Sequence, residues 1–186
     1  MEITEEIGID ICALDKVRNT ELYEDPVTMV MDSYKLECCL ETAKNINSNK
    51  TVKLICIEHE FGLYGGELGE YLLGFLSVLE KPFIIRFHTV LPAPTIKMLK
   101  IVQAIGLLAD KVIVMTKNAA RLLKEDYQLS RDKIFIIPHG THAHSIADHD
   151  QLKLKYNLEN KKVLTTFGLL TYIAAFWSLT VNFSFF

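Results

Sequence analysis

The chain has 186 residues, of which 49% are apolar and 23% charged, and its formal net charge is −3. This length allows one complete domain with a buried core, and it leaves room only for a fragment of a second domain. The positive and negative charges are interspersed and the balance is slightly acidic, which gives no support for nucleic-acid binding. Three of the first six residues are glutamates, which is not typical of a secretory signal.

Apolar runs alternate with amphipathic segments, beginning with a buried strand predicted from Ile7 to Leu14. The other strands are predicted at 52–57, 82–87, 112–115 and 134–137, and the helices at 27–47, 66–79, 94–108 and 118–125. The first helix is predicted to begin after Asp25 and Pro26, since a proline is tolerated in the first turn of a helix. Near-continuous apolar strands alternating with helices indicate an α/β fold, a Rossmann-like parallel sheet with helices on both faces.

The sequence changes character after Pro138. A short polar helix is predicted from Asp148 to Tyr156, followed by a charged linker at 157–162 and another strand from Val163 to Phe167. Residues 163–186 contain no charged residue, so by length alone they could span a bilayer. Polar residues within that run favour a buried or truncated segment, and a membrane anchor is the alternative interpretation.

No two of the four cysteines form a C-x-x-C motif. Cys12 and Cys56 lie in apolar, strand-like runs, where a reduced cysteine acts as a small apolar residue. This pattern favours structural thiols in a reducing compartment, and we therefore expect a cytoplasmic protein.

The loop from Ile57 to Tyr71 joins the second strand to the second helix and carries a histidine, several carboxylates and glycines. Glycines such as Gly65 and Gly66 allow the backbone to approach a ligand closely. Free N–H groups at the start of a helix suit an anion. The composition of this loop therefore indicates contact with a polar ligand.

Histidines end three of the predicted strands. His59 ends the second strand, His88 and Thr89 follow the third, and His139 and Gly140 follow the fifth. Ligands of open parallel sheets bind outside the carboxyl ends of the strands, so these side chains predict a polar ligand cleft. A histidine in that position can donate to a sugar hydroxyl or a phosphate oxygen, or act as an acid or base near neutral pH.

Two other interpretations involve the same residues. Four histidines lie within eleven positions and suggest a metal site, but their spacing fits no common zinc motif: His139, His142, His144 and His149. The glutamates from Glu58 to Glu70 could supply the paired acids of a hydrolase, although those near the helix start suit the helix dipole. The first strand is not followed by G-x-G-x-x-G. We therefore expect neither a metal nor a dinucleotide cofactor.

Several motifs occur in a fixed order along the chain. They are H-E-F-G at 59–62, Y-G-G at 64–66, G-E-Y at 69–71, F-H-T-V-L at 87–91, P-H-G at 138–140 and T-F-G-L-L at 166–170. The set resembles the N-terminal half of family 4 glycosyltransferases, which have the GT-B architecture. The resemblance covers roughly residues 7–170, and its most specific part is H-E-F-G followed by the paired glycines.

The resemblance implies a two-domain retaining enzyme whose active site lies between two Rossmann-like halves and usually needs no metal. The N-terminal half would receive the acceptor, and the other half would bind a nucleotide-sugar donor. The residue matching His88 would lie at the reaction centre as the catalytic residue. The substrate-binding residues implied by the motifs are His59, Glu60, Gly65, Gly66, Thr89, His139 and Gly140.

The chain departs from the family pattern at both ends. Family members begin with a strand and a glycine-containing loop before the segment matching Ile7, so residues 1–156 are expected to form the acceptor-side domain without its first strand. Past Leu170 the family continues with a lysine–glycine pair and a donor domain, whereas here an uncharged tail follows. We expect residues 157–186 to be a linker and the start of a missing donor-binding domain, with a frameshift or gene-model end.

These features predict an incomplete glycosyltransferase that is inactive alone, with a nucleotide-sugar donor and an unknown acceptor as the substrates of the full-length enzyme. The alternative is a stand-alone Rossmann-type module that binds a ligand, or an interaction module tethered to a membrane by residues 163–186. Peripheral membrane association is compatible with either interpretation.

Overall fold

Two parallel sheets organise the first of the two units into which the chain divides, residues 1–140 and 141–186. The structure is a computed structural model that describes residues 8–17, 19–140 and 148–163. The smaller sheet pairs β1 (Ile11–Leu14) with β2 (Val27–Met31). The larger sheet has four strands in sequence order, namely β3 (Ile55–His59), β4 (Phe83–Phe87), β5 (Lys111–Val114) and β6 (Ile134–Ile136).

Four helices connect successive strands of the first unit from β2 onward. They are α1 (Leu36–Ser48), α2 (Tyr71–Val78), α3 (Ile96–Leu108) and α4 (Lys117–Glu125). Thr95 and Thr116 begin α3 and α4 by accepting backbone N–H bonds in the first turn, which satisfies donors that lack a helical partner. In the second unit, the described residues contain α5 (His149–Lys155). The predicted α/β class is confirmed, with parallel sheets flanked by helices in a Rossmann-like arrangement.

One face of the four-stranded sheet forms the core. The parallel register aligns Ile57, Ile85, Val112 and Ile134, and all four side chains are buried. Residues on one face of a strand alternate with those on the other. The opposite face carries Glu58 on β3 and both Ile84 and Arg86 on β4. These three residues are only half-buried.

The prediction of a helix from residue 27 was wrong in its first part. Val27–Met31 is a strand parallel to β1, and the helix begins only at Leu36. The run V-T-M-V-M contains β-branched residues with restricted side-chain torsions, which suit extended backbone. The carbonyl of Pro26 accepts the N–H of Ile11 at 2.9 Å, so this proline leads into a strand and does not start a helix.

The second helix also begins later than predicted, at Tyr71 instead of Gly66. Gly66 and Gly69 have positive φ angles of 89° and 81°, which a right-handed helix excludes. The glycines therefore form a turn that lengthens the loop after β3. The other predicted elements of the first unit are confirmed to within a few residues.

Several predictions fall on residues that the structure does not describe. The strand from Val163 to Phe167 lies almost entirely outside the described residues, as do His142, His144 and nearly all of the uncharged tail. Within the described ranges, no helix has both the length and the apolar character needed to cross a bilayer.

Candidate functional site

A carboxylate and a guanidinium face each other across two strands of the larger sheet. Glu58 on β3 and Arg86 on β4 are register partners, and Arg86 Nη1 donates to Glu58 Oε1 at 2.7 Å. Arg86 is the one charged residue in the otherwise apolar strand F-I-I-R-F. The pair lies near the carboxyl ends of the strands, where ligands of parallel sheets bind.

His88 extends this pair beyond the end of β4. Its Nε2 lies 2.6 Å from Glu58 Oε2, so the carboxylate bridges the imidazole and the guanidinium. The backbone N–H of His88 donates to the carbonyl of His59 at 3.0 Å, which continues the ladder one residue past the strand. The imidazole is thus fixed both through its ring and through its backbone.

His139 brings the end of β6 to the same place. Its ring centroid lies 5.8 Å from that of His88, and its side chain is exposed. We call Glu58, Arg86, His88 and His139 the His88 cluster. It joins residues from three strand ends, so two of the three predicted histidines meet at the predicted edge of the sheet.

Thr89 and Glu60 lie beside this cluster. The hydroxyl of Thr89 donates to Glu60 Oε1 at 3.0 Å, linking the segment after β4 to the loop after β3. Both residues belong to the predicted substrate-binding set. Hydroxyl, carboxylate and imidazole groups together can exchange hydrogen bonds with a ligand rich in hydroxyl groups.

His59 lies in the core instead of the open edge. Its side chain is 0% exposed, and its ring contacts Phe61 and Phe87 at centroid distances of 5.3 and 4.8 Å. Neither ring nitrogen has a hydrogen-bond partner in the described part of the chain. Burial lowers the pKa of His59 to about 4, with a further lowering from nearby His88.

The three predicted glycines occupy different surroundings. Gly65 is buried, with the ring of Tyr71 and the backbone of Tyr34 against it, and its N–H donates to the carbonyl of Ser33 at 2.8 Å. Gly66 is exposed and needs its positive φ. Gly140 is exposed, and a Cβ added there would meet open space.

Ion pairs fix the glycine-containing loop to α3. Lys97 Nζ donates to Glu67 Oε2 at 2.6 Å and to Glu70 Oε1 at 2.9 Å. Glu70 also accepts the backbone N–H of Leu68 at 2.9 Å. That backbone bond, followed by the Lys97 bond, lowers the pKa of the Glu70 carboxyl to about 2. The loop is therefore held at both its backbone and its side chains.

A cleft of about 310 Å³ lies at the ends of β1 and β2 and reaches the same loop. It is lined by residues 14–16, by Ser33 and Tyr34, and by Gly62 and Leu63. The hydroxyl of Tyr34 donates to the carbonyl of Gly62 at 2.7 Å, which fixes an otherwise exposed ring. Lys16 Nζ lies 5.4 Å from the centroid of that ring.

Comparison with known proteins gave no match to a family model, a curated protein or a solved structure. The site is therefore interpreted from its own geometry. Within the described ranges, no group of three or more histidine, cysteine or acidic residues could hold a metal ion. The run of four histidines includes His142 and His144, which lie outside those ranges.

His88, Thr89, Glu60 and His139 were predicted from the sequence and lie together at one edge of the sheet, whereas the pairing of Glu58 with Arg86 was not predicted. Glu58 entered the sequence analysis only as one of several acids. The available signal was a single arginine inside an apolar strand, two residues before a histidine. A charge in such a position requires a partner.

Replacement of Gly65 by alanine is expected to destabilise the loop. The added Cβ would lie 2.5 Å from Tyr71 Cδ2 and 2.9 Å from the Cα of Tyr34, and the latter atom belongs to the backbone. We expect a loss of about 1–3 kcal/mol in the free energy of unfolding, measured by urea denaturation. Gly62→Ala is the matched control, because a Cβ at Gly62 meets no atom within 4 Å. Equal effects of the two substitutions would contradict the packing described for Gly65.

Proposed function

We propose that this chain is the acceptor-side half of a retaining family 4 glycosyltransferase of GT-B architecture. In this proposal the His88 cluster borders the reaction centre, and a nucleotide-sugar donor is held by a second domain. The main support is the position of His88, which the motif resemblance marks as catalytic and which bonds to Glu58 at the carboxyl edge. The Rossmann-like fold is compatible with this proposal.

The chemistry of the cluster suits transfer to a hydroxyl group. Sugar transfer develops charge at the reacting centre, and fixed polar groups can stabilise such charge because they need little reorganisation. His88 is fixed by two hydrogen bonds. An imidazole can accept a proton through its unprotonated ring nitrogen, as transfer to a hydroxyl group requires.

The cleft beside Tyr34 is the proposed acceptor-binding region. Gly62 and Leu63 of its lining belong to the loop after β3, and Glu60 of the same loop bonds to Thr89, the residue after His88. A tyrosine ring fixed through its hydroxyl offers a rigid surface for a sugar ring. Asp15 and Lys16 add charged groups that can hydrogen-bond to hydroxyls.

The donor side needs groups from outside this half. A leaving nucleoside diphosphate requires cationic stabilisation, and residues 163–186 offer no charged side chain. We therefore propose that the 186-residue chain binds an acceptor but transfers no sugar by itself. Robust transfer by the purified chain from a nucleotide-sugar would contradict this part of the proposal.

Binding of the purified chain to an array of immobilised glycans tests the proposed function. We expect retention on a subset of glycans, weakened about tenfold or more by His88→Ala through the loss of a hydrogen bond to the ligand. Arg121→Ala is the control, because Arg121 pairs with Glu125 on the exposed face of α4. Absence of glycan binding, or equal binding by His88→Ala, would argue for a ligand-binding or interaction module of another kind.

A further inference from the structure

We propose that Glu58 is a positioning residue that fixes the tautomer of His88. The carboxylate accepts a hydrogen bond from Nε2–H of the imidazole. The imidazole Nδ1 is then unprotonated and can accept a hydrogen bond from a substrate hydroxyl. The role assigned to the substrate rests on the proposed function. The tautomer itself follows from the geometry of Glu58, Arg86 and His88.

The orientation of Glu58 comes from Arg86. Its Oε1 accepts from Arg86 Nη1 at 2.7 Å, and its Oε2 lies 2.6 Å from His88 Nε2. An ionised carboxylate has acceptor oxygens only, so the hydrogen in the second contact belongs to the imidazole. Hydrogen bonds in which the donor or the acceptor is ionised are shorter and stronger than neutral ones, which is consistent with both distances.

The strand register makes this arrangement rigid. Glu58 and Arg86 are direct partners in the parallel ladder, and Arg86 precedes His88 by two residues on the same chain. Side chains two residues apart on a strand point to the same face. The two bonding partners of the carboxylate therefore lie on the same face of the sheet.

Among the described residues no group hydrogen-bonds to Nδ1 of His88, and the side chain is 30% exposed. The hydrogen bond made by one ring nitrogen of a histidine determines which of the two nitrogens carries the proton. A neutral His88 with its proton on Nε2 presents a lone pair at Nδ1. In the proposed transfer, that lone pair can accept the proton of the acceptor hydroxyl as its oxygen bonds to the anomeric carbon of the donor sugar, while the bond from that carbon to the nucleoside diphosphate breaks and the diphosphate leaves.

Nitrogen-15 NMR spectra of the histidine side chains test this inference directly. In the purified wild-type chain, over the pH range in which the nitrogen shifts report a neutral ring, we expect His88 to carry its proton on Nε2 in a ratio of about ten to one or more over Nδ1. The His88→Gln variant assigns the signal. A wild-type ring protonated on Nδ1 would overturn the inference without the need for any Glu58 variant.

Glu58→Gln is expected to reduce that ratio about tenfold, because a glutamine amide can donate as well as accept. Glu67→Gln is the matched control, since Glu67 bonds to Lys97 and not to a histidine. An unchanged ratio in folded Glu58→Gln would overturn the role of Glu58. If Glu58→Gln does not fold, a wild-type ring protonated on Nδ1 still overturns the inference.

The tautomer measurement needs no ligand, so its failure is distinguishable from failure of the proposed function. A wild-type ring protonated on Nε2 and a lowered ratio in Glu58→Gln, without any glycan binding, would support Glu58 as a positioning residue and contradict the glycosyltransferase proposal. Glycan binding weakened by His88→Ala, together with a ring protonated on Nδ1, would do the reverse.

Discussion

Truncation of Phe87 to alanine is expected to lower the free energy of unfolding by about 3–5 kcal/mol. Phe87 is the last residue of β4, its side chain is 1% exposed, and it pairs with Val114 in the sheet. Its ring also packs against that of His59. Removal of the ring leaves a cavity in the core beside His59. Urea denaturation followed by circular dichroism measures the loss.

Phe135 on β6 offers a matched control for Phe87. It has the same side chain in the same sheet, but it is 46% exposed and its ring contacts Lys111 Nζ at a centroid distance of 5.0 Å. Surface truncations usually change stability by only about 0.5 kcal/mol, and we expect Phe135→Ala to stay below about 1 kcal/mol. Similar losses for the two variants would contradict the assignment of one sheet face to the core.

Acidification should destabilise the protein through His59. Burial lowers the pKa of His59 from its ordinary value of 6.5 to about 4. Between those pH values the unfolded chain binds a proton that the folded chain does not bind, so stability falls as pH falls. The contribution to the free energy of unfolding that corresponds to this lowering is about 3 kcal/mol. It is present above pH 6.5 and is lost as the pH falls to about 4. Denaturation curves measured across this range give the slope.

His59→Phe isolates the contribution of this residue. The variant should lose most of the extra slope between pH 6.5 and 4, because phenylalanine does not titrate. At neutral pH it should also be more stable by about 1–3 kcal/mol, since two buried nitrogens without partners are removed. Glu70, whose pKa is lowered to about 2, loses its contribution only between about pH 4.5 and 2. An identical pH dependence in the variant and the wild type would contradict the burial of His59.

The order of strands and helices could be predicted from the sequence because apolar runs and amphipathic segments differ in period. The exception was Val27–Met31, which the sequence analysis joined to the helix that follows. A short apolar run fits a strand or the start of a helix equally well, and only its pairing with β1 decides between them. The late start of α2 depended on the backbone angles of Gly66 and Gly69, which composition alone does not determine.

The candidate site was predictable only in part. Strand ends of a parallel sheet meet at one edge, so the approach of His88 and His139 followed from topology. The pairing of Glu58 with Arg86 depends on register, which a single sequence does not contain. Neighbouring residues on a strand point to opposite faces, and the sequence did not show that His59 faces the core while Glu58 faces outward.

We propose that a sugar acceptor binds at the carboxyl edge of the sheets, at the His88 cluster and the cleft beside Tyr34. The most direct test is titration of the isotope-labelled chain with methyl α-D-glucopyranoside and methyl α-D-mannopyranoside, followed by proton–nitrogen correlation spectra. We predict that the backbone signals of Tyr34, His88, Thr89 and His139 shift together in a saturable way with at least one glycoside. Saturable shifts confined to other parts of the chain, or no shifts up to the solubility limit of both sugars, would contradict the binding of a sugar acceptor at this edge.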